Sequence, residues 1–550
     1  MDTDRPLEPR LPPAEDVWAH VVRGLDQDPA EGLNTARECC DRHTVDRSRL
    51  AITVRHAHGQ SQRWTYFDLA RHASLAADMF AKAGLRRGDR VAAVLSRQIE
   101  TWICALAAWR SGLVYVPLFC GFGADALAYR LQASRAKLLV VDHQWRSGVQ
   151  QALQLLDDDI AVVTVSGPAG RGIRGGDRSF WAEIEASEPA GPAVNTAADE
   201  PATLLFTSGT TGQPKACVIP HSGFVSLIPY VDHALGLRVG DLLFTTSDPG
   251  WAYGLYTTGL VPMGRGIPLL SYSGPFDPSA WLDVMNEESA TYVTAAPTAF
   301  RSLVAAVGHL GAPPSLRAAA GAGEPLDADT VSSWQSLTGT PIRDGYGLTE
   351  VGMALANLAD PPMELVPGAM GTNVPGFDVM LVDSAGEPLP GVAEGAIAIR
   401  RPRFQLATGY DNAQEVWQAR WKGEYFVTED RARRDENGRW WFVGRDDDII
   451  VTAGYNVGPI EVETVLLEHP AVAEVAVVAS PDPRRGSVVR AAVVVRPDAS
   501  AGPELTAELQ QSVRDRVGRH AYPRIVDYVD TLPRTEVGKI RRAALRVTNP

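Results

Sequence analysis

Leu204-Leu205-Phe206-Thr207-Ser208-Gly209-Thr210-Thr211-Gly212-Gln213-Pro214-Lys215 is the stretch on which the reading of this chain turns. Leu204 to Phe206 is a short apolar run of the kind that makes a buried strand, and Val218-Ile219 begins another. Between them lie six consecutive Ser, Thr and Gly residues, followed by Gln213 and closed by Pro214-Lys215. Glycines let backbone N–H groups turn toward an anion, hydroxyls add donors, and the lysine brings a mobile positive charge. A solvent loop has a similar composition, but the lysine usage argues for a site. Only five of the 52 basic residues are lysine and the rest are arginine. Lysine is a compact point charge and arginine a planar fork, so a lysine retained here points to a single aimed ammonium, as phosphate chemistry needs. The spacing is not the Walker pattern, which sets Gly-Lys-Ser/Thr at a helix N-terminus. A second glycine-bearing lysine stands far away, in Leu532-Pro533-Arg534-Thr535-Glu536-Val537-Gly538-Lys539-Ile540.

Upstream of the loop, helical and strand patterns alternate. Tyr66 to Ala83 reads as an amphipathic helix, Arg90 to Leu95 as a strand, Ile99 to Ser111 as a helix, and Val114 to Leu118 and Leu138 to Val141 as buried strands. Strands spaced by helices predict parallel sheets of the α/β class. The Ala/Pro/Glu-rich stretch 186–200 is expected to be a surface connector. From Pro367 to Arg401 the texture changes to short strands and turns, such as Val379 to Val382 and Asp383 to Gly386, predicting a small β subdomain. A second break falls at Arg445-Asp446-Asp447-Asp448. Beyond it the pattern is α+β: helix 460–468, strands 473–479 and 489–495, helix 504–518, then the Lys539 loop. Two domains are expected, 1–445 and 446–550, since 550 residues exceed one hydrophobic core.

A net charge of −14 disfavours nonspecific binding to nucleic acid or to an anionic membrane surface. No stretch approaches the roughly 18 apolar residues of a membrane helix, and the acidic, proline-bearing start Met1-Asp2-Thr3-Asp4-Arg5-Pro6 is not a signal segment. The five cysteines, Cys39, Cys40, Cys104, Cys120 and Cys217, lack metal-ligand spacing and predict reduced thiols in a cytoplasmic enzyme. His56 and His58 read as a polar strand face rather than metal ligands, and Trp440-Trp441 as a packed strand. The acids Asp446 to Asp448 lack the recurring oxygen ligands of a calcium loop. Arg484-Arg485 reads equally as a solvated turn or a contact to a ligand's phosphate.

With these motifs on the page, the chain resembles the adenylate-forming superfamily of acyl-CoA synthetases, adenylation domains and luciferases. Thr207 to Lys215 resembles its signature loop, Gly321-Ala322-Gly323-Glu324-Pro325 its adenine-contacting turn, and Asp344-Gly345-Tyr346-Gly347-Leu348-Thr349-Glu350 its central motif. Tyr425 to Asp430 followed by Gly444-Arg445 resembles the ribose-binding pair, and Val451 to Glu461 and Pro533 to Arg541 resemble the two C-terminal motifs. They stand in family order over roughly residues 60–545. Val116-Pro117-Leu118-Phe119 with Gly121-Phe122-Gly123, and His520 to Arg524, look most like medium-chain and aryl acyl-CoA ligases.

The resemblance implies a large N-terminal domain of two parallel-type βα subdomains plus a small β-barrel-like subdomain, followed by a small mobile α+β domain. It implies activation of a carboxylic acid by ATP as acyl-AMP, with pyrophosphate released, and transfer of the acyl group to coenzyme A. Thr207, Ser208, Gly209, Thr210, Thr211, Gly212 and Lys215 would hold the β- and γ-phosphates, and Glu350 a Mg²⁺ ion. Gly323, Glu324, Pro325, Asp344, Gly345, Tyr346 and Gly347 would line the nucleotide, with Tyr346 stacked near the adenine. Asp430 and Arg445 would take the ribose hydroxyls. Thr349 would bond the α-phosphate, and Lys539 would bridge carboxylate and α-phosphate. Trp251, Ala252, Tyr253, Gly321, Ala322 and Gly347 would form the acyl pocket. In acetate-specific relatives a tryptophan matches Gly347, so glycine implies an acid larger than propionate. Asp447 would be the hinge about which the small domain swings, with Gly454 and Tyr455 in the coenzyme A channel.

Two departures stand out. Glu429 lies where the family has glycine between Thr428 and Asp430; a positive φ there would cost on the order of 1 kcal/mol. Asn456 replaces an arginine common in acyl-CoA synthetases, though aryl-acid relatives also carry asparagine. The alternative readings are a stand-alone ligase that loads an acyl carrier protein, and a member that performs only one half-reaction or only binds. Asp248, near the acyl pocket, leaves an amino-bearing acid in play.

Overall fold

The computed structural model describes residues 11–167, 170–207, 214–445, 448, 450–452, 455–482, 486–517, 521–534 and 540–546. The apolar runs that flank the Ser/Thr/Gly segment form an antiparallel pair, Pro201–Thr207 with Lys215–Pro220, in which Thr207 stands opposite Lys215. This pair lies near one edge of an eight-stranded sheet. Its order is Gly409–Tyr410, Lys215–Pro220, Pro201–Thr207, Val114–Pro117, Arg90–Val94, Leu138–Asp142, Ala161–Val165 and Arg178–Ser179. From Pro201–Thr207 to the far edge the strands run parallel, as the alternation with helices predicts.

A nine-stranded sheet carries the middle of the chain. Its central strands are Ile342–Leu348, Ala318–Ala322, Tyr292–Ala295, Leu243–Thr245, Leu269–Tyr272 and Leu50–Arg55, all parallel. The helix Ile99–Arg110 is buried at every position, which fits a helix apolar on all faces. Trp109 Nε1 donates to the carbonyl of Ala202 on the eight-stranded sheet at 3.0 Å, while Trp102 packs against Gly259 in the helical stretch Tyr253–Leu260 and leaves no room there for a side chain. The helix Tyr66–Lys82 starts on a capping box between Thr65 and Asp68.

The predicted β texture is a six-stranded antiparallel sheet containing Val379–Val382, Ala393–Arg400, Tyr425–Arg434 and Trp440–Arg445. Trp440 is buried on it, and the turn Asp383 to Gly386 closes with Gly386 N donating to Asp383 O at 3.0 Å. The C-terminal segment has its own core, with Val462, Leu466, Val475, Val477, Val489, Val493, Leu509 and Val513 between two helices and a three-stranded sheet. The predicted helix 460–468 is Pro459–Leu467, and the predicted strands lie within Val472–Asp482 and Gly486–Val495.

One reading needs correction. His56 and His58 follow the end of the strand Leu50–Arg55, so they lie in its turn rather than on a strand face, with rings stacked at 5.2 Å. Among the described residues no helix is long and apolar enough to cross a membrane, and all five cysteines are buried free thiols.

Candidate functional site

Lys215 opens its strand, and the two-residue strand Gly409–Tyr410 pairs beside it, with Tyr410 opposite Cys217. That pairing brings together side chains almost two hundred residues apart. Lys215 Nζ sits 5.6 Å from the centroid of the Tyr410 ring. The Tyr410 hydroxyl donates to Glu350 Oε1 at 2.8 Å. Glu350 lies with Thr349 in the tight turn between the antiparallel strands Ile342–Leu348 and Gly352–Ala356. Its main chain is stitched to the same edge, since Ala407 N donates to Glu350 O at 3.3 Å and Thr408 N to Val218 O at 2.9 Å. Burial pushes the Glu350 carboxyl above the ordinary carboxylate range, opposed by the Tyr410 hydroxyl and the Arg420 charge. A half-buried carboxylate of this kind gains from a nearby cation.

Four residues before Glu350 in the central motif, Tyr346 meets Asp430 and Arg445. The Tyr346 hydroxyl donates to Asp430 Oδ2 at 2.7 Å, and Asp430 N is held by Thr428 Oγ1 at 3.1 Å. Arg445 Nη1 lies 3.9 Å from Asp430 Oδ1, the two residues facing each other across paired strands. Burial raises the Tyr346 phenol, and the Asp430 carboxylate adds to the rise. Glu429 is not strained as its glycine-like position implied. The only positive-φ residues other than glycine among those described are Arg135, Ser289 and Asn412, and Glu429 sits in a continuous strand. Its carboxylate accepts from both Arg420 and Arg445. The glutamate therefore ties the predicted ribose arginine to a second guanidinium, which the sequence pattern did not reveal.

The turn after Ala318–Ala322 uses Gly323 at φ +91°, a conformation that favours glycine. The side chain of Glu324 is already occupied: its Oε2 accepts from Thr298 Oγ1 at 2.6 Å and Thr298 N at 3.3 Å, at the start of the helix Pro297–Leu310. Pro325 follows with its carbonyl near Arg301. Asp344 is buried, its Oδ1 accepting from Gly345 N at 2.9 Å, and burial lifts its carboxyl well above the usual range. At Gly347 a Cβ would stand 2.3 Å from Gly352 O and 2.7 Å from Met353 Cα. Close approach of two backbones thus requires glycine there, a reason separate from the room it leaves for an acid.

Around Trp251 the chain folds into a π-helical stretch, Tyr253–Leu260, a distortion frequent at functional sites. Trp251 packs with Phe119 and Phe122, all three ring pairs at 5.7–5.9 Å, and the Arg130 guanidinium covers Phe122 at 3.8 Å. Sequence reading quoted Phe119 and Phe122 only as texture; their union with Trp251 is a tertiary event. Trp251 Nε1 is buried with no acceptor among the described residues. Asp248 accepts from Gly250 N at 2.8 Å, and burial pushes its carboxyl up against the opposing charge of Arg97. Ala252 precedes the π-helical stretch, and Gly321 and Ala322 end the strand Ala318–Ala322.

Ser208, Gly209, Thr210, Thr211, Gly212, Asp447, Gly454 and Lys539 lie outside the described residues, as do Arg484-Arg485 and His520. Tyr455 lies in the short strand Tyr455–Val457. Among the described residues no three His, Cys, Asp or Glu side chains gather as a metal site. A divalent ion here would draw most of its oxygens from a bound polyphosphate and a single carboxylate. Mg²⁺ accepts that arrangement, and Glu350, with Oε1 engaged by a phenol, has the right donor chemistry.

Residues 37–411 match the family described as AMP-binding enzyme, and residues 461–539 match the AMP-binding enzyme C-terminal domain. The chain belongs to this family of AMP-binding enzymes. It is 36% identical to the mitochondrial acyl-coenzyme A synthetase ACSM4 of Homo sapiens over 89% of this chain and 84% of that protein. Among solved structures it is similar to the acyl-CoA synthetase of Brucella canis, at 35% identity and a TM-score of 0.75 over 96% of both chains. It is also similar to a benzoate CoA ligase from Burkholderia xenovorans LB400, at 28% identity and a TM-score of 0.83, over 93% of this chain and 99% of that one.

Proposed function

We propose that the chain is an ATP-dependent acid–thiol ligase that activates a medium-chain or aryl carboxylic acid as acyl-AMP and passes the acyl group to coenzyme A. The observation that carries this reading is the joining of Lys215 and Glu350 through Tyr410, beside the Tyr346, Asp430 and Arg445 group. One end offers a cation and a metal-competent carboxylate, as a polyphosphate needs. The other offers acceptors and a guanidinium suited to ribose hydroxyls. The aromatic wall of Phe119, Phe122 and Trp251 favours an apolar or aryl acid.

In the first half-reaction a carboxylate oxygen attacks the α-phosphorus of ATP and pyrophosphate leaves. Catalysis of this kind is positioning plus electrostatic stabilisation. Lys215 and the loop Thr207 to Gly212 neutralise the polyphosphate and Thr349 bonds the α-phosphate; Glu350 would hold a Mg²⁺ ion, which would supply further charge neutralisation. Gly323 to Pro325 and Asp344 to Gly347 frame the nucleoside. The role assigned here to Lys539 is to bridge carboxylate and α-phosphate in this step. In the second, the thiolate attacks the acyl carbonyl and AMP leaves; Lys539 must withdraw first. We assign that motion to a body 446–550 moving on 1–445 about Asp447, and we assign Gly454 and Tyr455 to the thiol's path. The free buried cysteines favour a reducing compartment, and we place the enzyme in the cytoplasm although the ACSM4 relative is named mitochondrial.

Pyrophosphate release with ATP, Mg²⁺ and a panel of acids tests this, with coenzyme A, a phosphopantetheinylated carrier protein or no thiol. The expected result is release with medium-chain or benzoate-type acids and acyl-CoA formed only when coenzyme A is present. Product on the carrier alone would reassign the acceptor, and silence across the panel would refute adenylation.

A further inference from the structure

Tyr410 touches two oppositely charged side chains at once. Its hydroxyl donates to Glu350 Oε1 at 2.8 Å, and the Lys215 ammonium stands 5.6 Å from its ring centroid. Among the described residues Lys215 makes no ion pair, although a carboxylate lies just across the same ring. An ammonium and a carboxylate free in one half-buried cleft attract strongly and collapse together. Polyphosphate would then have to break that pair before binding. A phenol in contact with both offers the ammonium its electron-rich face and the carboxylate its O–H, so each is held without meeting the other.

The ring is itself fixed. Its backbone pairs with Cys217, two residues along the strand from Lys215. Its edge meets the buried Trp417 at 5.2 Å and 88°, and Trp417 packs in turn on Trp421 and Phe426. Two further charges act on this pair: Arg420, already engaged by Glu429, and the Asp430 carboxylate, which opposes it at Glu350.

From this geometry we infer that Tyr410 is a positioning residue for the triphosphate half of the nucleotide site, keeping Lys215 and Glu350 apart and pre-oriented. The inference rests on the nucleotide roles given above to Lys215 and Glu350. Its effect is confined to ligands that carry β- and γ-phosphates. AMP, which lacks them, does not use it.

The test is calorimetric binding of ATP with Mg²⁺, and of AMP, to the full chain. Tyr410→Leu, which removes ring face and hydroxyl, should weaken ATP about tenfold and leave AMP within about twofold. Tyr410→Phe keeps the face and loses the hydrogen bond, so about a threefold loss for ATP is expected. In a chain carrying both Lys215→Met and Glu350→Gln, adding Tyr410→Leu should change nothing further. Equal losses for ATP and AMP, or an undiminished loss in the altered background, would show a merely structural role and overturn the inference. Should Tyr410→Leu fail to fold, Tyr410→Phe decides alone: no ATP-selective loss rejects it. A wild-type chain that binds no ATP sinks the nucleotide reading itself. A wild type that binds ATP beside indifferent Tyr410 variants sinks only this inference.

Discussion

Glu429→Gln separates two views of the residue that replaces the family's glycine. In the structure the Glu429 carboxylate holds Arg445, while Arg445 Nη1 remains 3.9 Å from Asp430 Oδ1. Glutamine keeps the shape but loses the charge, so the pull of Glu429 on Arg445 weakens and Arg445 should close on Asp430 to about 2.9 Å, the ordinary distance of a charged hydrogen bond. At an effective dielectric between about 20 and 40 that approach is worth about 0.7–1.5 kcal/mol. If Asp430 accepts a ribose hydroxyl, the nucleotide must undo the new pair, and binding weakens about 3- to 12-fold. The pairs are partly exposed, with side-chain exposures of 33% for Glu429, 32% for Arg445 and 24% for Arg420. Folding stability should therefore fall by no more than about 1 kcal/mol. Salt should shrink the effect on binding, because solvent reaches these charges. AMP affinity by calorimetry at two ionic strengths, alongside the thermal midpoint, measures all three quantities. Unchanged or tighter AMP binding by a normally folded variant would refute the reasoning, since Glu429 would then not be holding Arg445 off the ribose acceptor.

Lys539→Ala should suppress acyl-AMP formation far more than thioester formation from supplied acyl-AMP; single-turnover assays of each half-reaction decide, and equal loss of both contradicts its assignment. Gly347→Ala places a Cβ 2.3 Å from Gly352 O, so the strand pair must part. The thermal midpoint and both half-reactions should drop together, and a stable variant that merely prefers shorter acids would count against this. Glu100 is buried beside Trp181, whose Nε1 donates to it at 2.9 Å, and burial lifts its carboxyl to about 7 from 4.5. The folded chain thus binds the proton more tightly than the unfolded one. That contribution is complete below pH 4.5 and is lost as pH rises to about 7, by up to about 3 kcal/mol. Relative to Glu100→Gln, wild type should lose stability over this window and then level off; parallel stability curves would show that Glu100 titrates normally.

Much of the fold was legible because it is local. Tyr66–Lys82, Arg90–Val94, Ile99–Arg110 and Leu138–Asp142 follow from apolar periodicity and from the cap Thr65 with Asp68, and the structure moves their ends by no more than a residue. The residue types at Thr207 to Lys215, Glu350 and Asp430 carried the family resemblance because they stand in short local motifs. The His56 and His58 reading failed because the strand ends one residue earlier than alternation suggested. At Glu429 the backbone has no positive φ, so the conditional strain cost does not arise there.

Composition and motif order alone determined the α/β class and the family. Those are properties of residue type and of neighbours within one turn or strand. Only tertiary structure decided that Tyr410 contacts both Lys215 and Glu350, that Phe119 and Phe122 wall in Trp251, and that Glu429 binds two arginines. Each depends on strand order and register, which join residues up to nearly two hundred positions apart. The free energy that selects such pairings is the burial of whole sheet faces and the helices packed on them, a sum over the fold that no short stretch of sequence contains.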